Sequence, residues 1–281
     1  MCVECGSGLY GDQAGASSCK PCPRGKNSTA IGATSILTCQ NCTAGYYQPD
    51  EGSASCVACS PGTFSSALGA SSNSTCQKCP SGKFSTSIGA TSSSTCRECP
   101  AGQYQKETGS TLCEPCPAGR YQSNSGSAFC FACSAGTYSN ITGATSDSTC
   151  QQCPAGHFQS NEGASACTPC SAGTYSSLVG ASSSSTCQKC PKGTSSAVLA
   201  ATSSETCIKC PEGKYQPEEG GQSCISCLPG SFSFEIGATS SSACQPCPEG
   251  KYQPEEGSRS CLSCPPGTSS SAKGAASNYT C

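Results

Sequence analysis

The apolar positions of this chain keep step with its cysteines and with nothing else. No stretch carries a sustained 3.6-residue apolar period, so the pattern predicts no helix beyond a single turn. An aromatic stands five positions after the second cysteine of a Cys-x-x-Cys pair in twelve places, among them Tyr10, Phe64, Tyr121 and Tyr252. Asn27, Ser195 and Ser269 hold that position in the remaining three. A glycine always lies two residues before it, as in Gly8, Gly62, Gly136 and Gly250. A second glycine lies five residues after it, as in Gly15, Gly69, Gly143 and Gly257, with Ala200 as the exception. Glycine supplies positive φ without a Cβ penalty. Two such turns seven residues apart, bracketing one aromatic, predict a minimal β-hairpin with a turn at each glycine.

These columns repeat because the cysteines repeat. Fifteen Cys-x-x-Cys pairs run from Cys2/Cys5 to Cys261/Cys264, and Cys281 follows alone. The gap between pairs is 13 or 16 residues, so a unit is 17 or 20 residues long. Units open at Cys5, Cys22, Cys42, Cys59, Cys79, Cys99, Cys116, Cys133, Cys153, Cys170, Cys190, Cys210, Cys227, Cys247 and Cys264, and fill residues 2–281. A fixed short period marks a tandem array. The three extra residues of a long unit precede its closing cysteine, in Ser/Thr-rich stretches such as Thr91-Ser92-Ser93-Ser94-Thr95. Such a stretch reads as a surface loop that tolerates insertion. Segment 210–220 recurs almost unchanged at 247–257, which suggests duplication in two-unit steps. The expected fold is a small disulfide-rich repeat, an extended rod of 15 tandem units with short β-hairpins and no regular helix. Each unit is expected to touch only its sequence neighbours. At roughly 10 Å per layer the array would be on the order of 150 Å long.

Composition narrows the function. Cys accounts for 31 of 281 residues, while Leu, Ile, Val and Phe together supply 26, with one Met and no Trp. Without cross-links such a chain buries too little apolar area to offset the entropy of ordering it. An ordinary globular enzyme is therefore excluded. The formal net charge is -2, and the absence of like-charge runs argues against nucleic acid as a partner. No stretch approaches 18 consecutive apolar residues, so no membrane span is expected within the chain. Met1–Cys5 lacks the basic and apolar regions of a signal peptide.

Paired cysteines at this spacing also suit zinc ribbons. Oxidation is favoured by the single His157, by scarce basic residues and by five N-x-S/T sequons at Asn27, Asn41, Asn73, Asn140 and Asn278. These five are the glycosylation candidates. The simplest ladder joins the second cysteine of each pair to the first of the next. It gives Cys5–Cys19, Cys22–Cys39, Cys42–Cys56, Cys59–Cys76, Cys79–Cys96, Cys99–Cys113, Cys116–Cys130 and Cys133–Cys150. It continues through Cys153–Cys167, Cys170–Cys187, Cys190–Cys207, Cys210–Cys224, Cys227–Cys244, Cys247–Cys261 and Cys264–Cys281, leaving Cys2 unpaired. An interlaced pairing, first to first and second to second, strands a whole pair and Cys281 because fifteen is odd. Sequence alone leaves both open. Closing a loop of about 15 residues contributes roughly 3 kcal/mol in the loop-entropy model. An unpaired Cys2 beside a missing signal peptide leads to the expectation that the sequence is a fragment. Its parent would carry further repeats and a signal sequence upstream.

The motif Cys99-Pro100-Ala101-Gly102-Gln103-Tyr104, with Gly109 and then Cys113-Glu114-Pro115-Cys116, resembles the ephrin-receptor-like cysteine-rich repeat. It is also similar to EGF-like modules and to the first half-module of tumour-necrosis-factor receptor repeats. The resemblance covers the whole chain. It implies an extracellular or cell-surface location and an elongated glycoprotein with a spacer or adhesive role.

No catalytic, cofactor or metal constellation stands out. His157 has no second histidine, Asp occurs only at Asp12, Asp50 and Asp147, and Glu218/Glu219 and Glu255/Glu256 read as solvated turn residues. No helix follows a Cys-x-x-Cys pair to lower a thiolate pKa, which sets thioredoxin-type chemistry aside. The aromatic column reads as packing against disulfides rather than as a ligand stripe. The units that lack it are expected to be weaker or kinked. Positions between the aromatic and the second glycine form the expected contact surface. The leading reading is a non-enzymatic extracellular stalk or adhesion segment of a larger surface or matrix protein, its protein or glycan ligand unknown. A receptor-type module binding a protein along one face comes second, and an intracellular zinc-binding repeat protein third.

Overall fold

In the computed structural model, which describes residues 3–281, each unit is built outward from its opening cysteine. In the unit opened by Cys59, Thr63 N–H donates to Ser60 C=O at 3.1 Å, and Gly62 takes φ +81°. Positive φ at the third residue of the turn is the type II requirement. The turn launches strand Thr63–Phe64, which pairs antiparallel with Gln77–Lys78, the two residues inside the next Cys-x-x-Cys pair. Cys59–Cys76 closes the hairpin. Fourteen two-stranded hairpins follow this plan among the described residues.

The hairpin therefore does not lie between the two glycines. The disulfide carries the far end of the unit back beside the aromatic, and that long-range pairing replaces a local return. The second glycine has a different task. Gly89 N–H donates to Cys59 C=O of the preceding unit at 2.9 Å. Two more backbone bonds join the same neighbours, Gly62 N–H to Ser85 C=O at 2.8 Å and Ser65 N–H to Ala90 C=O at 2.9 Å. The same set recurs along the array.

Contacts also reach past the neighbour, contrary to the nearest-neighbour expectation. A Cβ on Gly62 would run into the carbonyl oxygen of Gly109, two units on. Glycine is needed at position 62 both for its φ and for this close backbone approach.

The Ser/Thr-rich stretch of a long unit lies at the surface and has regular structure. It winds into a three-residue 3-10 turn, such as Ser93–Thr95, capped by Ser92 Oγ accepting from Ser94 N–H at 3.2 Å. Such one-turn elements are the only helical structure among the described residues.

The interior is narrow and only partly apolar. Thirteen opening cysteines, from Cys22 to Cys247, are at most 1% exposed. Alanines such as Ala70 and Ala90 are buried beside them, together with Ser65, Ser85, Gln105 and Gln122. Tyr10 packs with Cys22, Cys39 and Ala33, so an aromatic rests on the disulfide of the following unit. The described residues group into two compact bodies. One runs to Ala132 and includes Ile141–Thr149; the other comprises Cys133–Asn140 and Cys150–Cys281. Each is a series of these disulfide-rich units.

Candidate functional site

Disulfides are the chemistry this chain invests in. The fifteen cross-links join the second cysteine of one pair to the first of the next, with Cα separations of 5.5–5.8 Å. That separation lies at the mode for unstrained cystine. All thirty described cysteines are used, so none of them offers zinc a thiolate. Cys2 lies outside the described residues.

One position, directly after the aromatic, sorts with loop length. Eight long units carry serine there, from Ser28 to Ser270, and six of the seven short units carry glutamine, from Gln48 to Gln253; the exception is Gly11. Gln122 shows why. Its Nε2 donates to Phe129 C=O at 2.8 Å across the short loop, and its Oε1 accepts from Asn124 N–H at 3.0 Å. In a long unit the 3-10 turn fills that space, and the shorter serine suffices: Ser85 Oγ accepts from Ser87 N–H at 3.3 Å. The alternation is visible in the sequence once each unit is labelled by its gap.

Exposed tips sort the same way. The residue before the second glycine is aliphatic in six of eight long units (Ile31, Leu68, Ile88, Val179, Leu199, Ile236) and exposed in each. Four short units place Glu51, Glu162, Glu219 and Glu256 there.

The other candidates fall on the surface. Asn41, Asn73, Asn140 and Asn278 are exposed. Asn27 is half-buried, and its Nδ2, the atom a glycan would occupy, donates to Ala54 C=O of the next unit at 3.0 Å. Asn27 Oδ1 also lies 3.3 Å from Cys56 Sγ, so this residue fills the slot an aromatic fills elsewhere. His157 turns Nδ1 toward its own Ala155 C=O at 3.3 Å. Glu218, Glu219, Glu255 and Glu256 are exposed, and the backbone N–H groups of Glu218 and Glu255 are held by Gln216 and Gln253. Asp12 pairs with Lys20 at 2.9 Å, and that hydrogen bond holds its carboxyl below the usual range. Burial, and then a bond to Glu114, push the Tyr104 hydroxyl pKa up. No cluster of three or more metal-ligating side chains occurs among the described residues. No helix among them is long and apolar enough to cross a membrane.

A family model described as tyrosine-protein kinase ephrin type A/B receptor-like matches the chain eight times. The matched segments are 1–39, 36–76, 91–120, 108–150, 147–187, 166–207, 199–244 and 240–281. What matches is the cysteine-rich repeat, a non-catalytic module type. Together with the density of structural disulfides it points to an extracellular or secreted location. A search of curated proteins finds no match.

Proposed function

The chain belongs to the tyrosine-protein kinase ephrin type A/B receptor-like family, and on that premise we propose that its repeats serve as a spacer, the stalk or adhesion segment of a larger cell-surface or matrix protein. The observation that carries this reading is the sameness of the joints. The units present the same backbone N–H groups and cysteine carbonyl to their neighbours, with Ala200 N–H in place of a glycine at one joint, so units can be added or removed without a new interface. The recurrence of 210–220 at 247–257 fits growth by such steps. A shaped active site could not absorb a change in unit number.

Excising residues 210–246 tests the reading. The cut removes one short and one long unit and rejoins Lys209 to Cys247. The spacer reading expects the product to fold with thirteen disulfides. It also expects the maximum dimension in X-ray scattering to shorten by the amount that a two-unit insertion adds. Loss of folding, or no regular change in dimension, would overturn it.

A further inference from the structure

The unit opened by Cys190 departs from the common pattern at three columns, the first of them shared with the units that carry Asn27 and Ser269. Ser195 stands where twelve units have a ring, Ala200 stands where the others have glycine, and Ser203 makes no capping bond to its 3-10 turn. Ala200 nonetheless holds φ +55°, the one positive-φ residue among those described that is not glycine. Backbone strain of this kind collects where structure serves a function.

Beside Ser195 lies a hollow of about 380 Å³ lined by Ser195, Val198, Ile208, Pro211, Lys214 and Cys224. Its wall is the disulfide Cys210–Cys224, the surface that receives the aromatic of the preceding unit elsewhere. Ser195 reaches that wall only with its hydroxyl, Oγ to Cys224 Sγ at 3.3 Å. At Asn27 the longer amide bonds across to the next unit, and the hollow of about 240 Å³ beside it is lined by residues of its own unit. Ile208, across the strand pair from Ser195, is 67% exposed, and Val198 is 50% exposed. Lys214 makes no ion pair among the described residues.

We infer that the hollow beside Ser195 is a docking site for a tyrosine or phenylalanine side chain of a protein partner, carried next to a carboxylate. The occupant follows from the array itself. Tyr175 and Tyr215 hold the equivalent position in the units on either side, so an inserted ring would continue the ring-on-disulfide packing that already joins the units. An apolar hollow of this kind gains by exchanging water for a ring. The ammonium of Lys214 gives the rim a positive charge that an adjacent carboxylate complements. The site stands whether or not the array is a spacer.

Titrating the full chain with acetyl-Asp-Tyr-Asp-amide while following backbone amide NMR shifts tests it. The expected result is saturable shifts at Ser195, Ile208 and Cys224, with a dissociation constant on the order of 1 mM. Acetyl-Asp-Ala-Asp-amide should leave those amides unmoved. Ser195→Tyr refills the slot from within, using the residue that neighbouring units already tolerate, and should weaken binding by about tenfold or more. Lys214→Gln should weaken it by about threefold. Absence of shifts in the natural chain, or equal shifts in the Ser195→Tyr chain, overturns the assignment.

Discussion

A single methyl group separates Ala200 from the glycines at its position, and the backbone reports the difference. Left-handed φ costs an alanine about 1 kcal/mol relative to glycine. Ala200→Gly should therefore strengthen hydrogen-exchange protection around Cys190–Cys207 by about that amount. The reverse change depends on position. Gly15 has open space where its Cβ would go, so Gly15→Ala should cost only the backbone term, about 1 kcal/mol. At Gly62 the Gly109 carbonyl occupies that space, and Gly62→Ala should cost about 3 kcal/mol, felt in the unit opened by Cys99 as well as in its own. Exchange measured unit by unit separates the cases. The requirement for glycine was legible in the sequence. Its second cause was not, because a carbonyl oxygen two units away belongs to no residue type that a pattern could mark.

Hairpin and loop form one element, and its two lengths are held by different means. Gln122→Ser should expose Phe129 C=O and loosen Asn124 N–H, costing about 1–3 kcal/mol. Adding the residues of a capped 3-10 turn to the same loop should restore the loss, since that is the pairing found in long units. Exchange at Asn124, with and without the longer loop, decides it. Ser92→Ala should likewise cost about 1 kcal/mol, whereas Ser203→Ala, where no capping bond exists, should cost nothing measurable. At this scale the sequence misleads in an instructive way. Turn chemistry at Gly62 and Gly69 points to a local hairpin, but Phe64 pairs with Gln77 across the disulfide-closed loop. Local signals cannot weigh a partner that a covalent bond delivers. Nor does losing the ring open the hairpin, for Lys26–Asn27 and Thr194–Ser195 still pair. Backbone bonds and the cross-link suffice there.

Across the whole molecule the fold rests on covalent bonds more than on a core. Apart from Tyr10, the buried side chains among the described residues are cystine, alanine, serine and glutamine, which contribute little by transfer from water. Complete reduction should therefore unfold the chain at temperatures where the oxidised form persists, as read by circular dichroism with and without reductant. Expression in a glycosylating secretory host gives a second check. Asn27 should remain bare while Asn41, Asn73, Asn140 and Asn278 are open to modification, so glycopeptide mapping should find sugar at no more than four sequons. A glycan at Asn27 in folded protein would contradict the packing described for its amide.

The reach of Gly62 to Gly109 also sets a timetable. A chain made from its N-terminus acquires each unit's second neighbour only when about 40 further residues have emerged. Behind the newest segment there are thus always two units whose surroundings are unfinished. Their cystines must form, or be corrected, inside that moving window. An oxidase that pairs thiols in order of appearance from Cys5 onward produces the observed ladder, whereas one that starts at Cys2 closes each Cys-x-x-Cys pair on itself. One that waits meets several chemically identical pairs at once and has little by which to tell them apart.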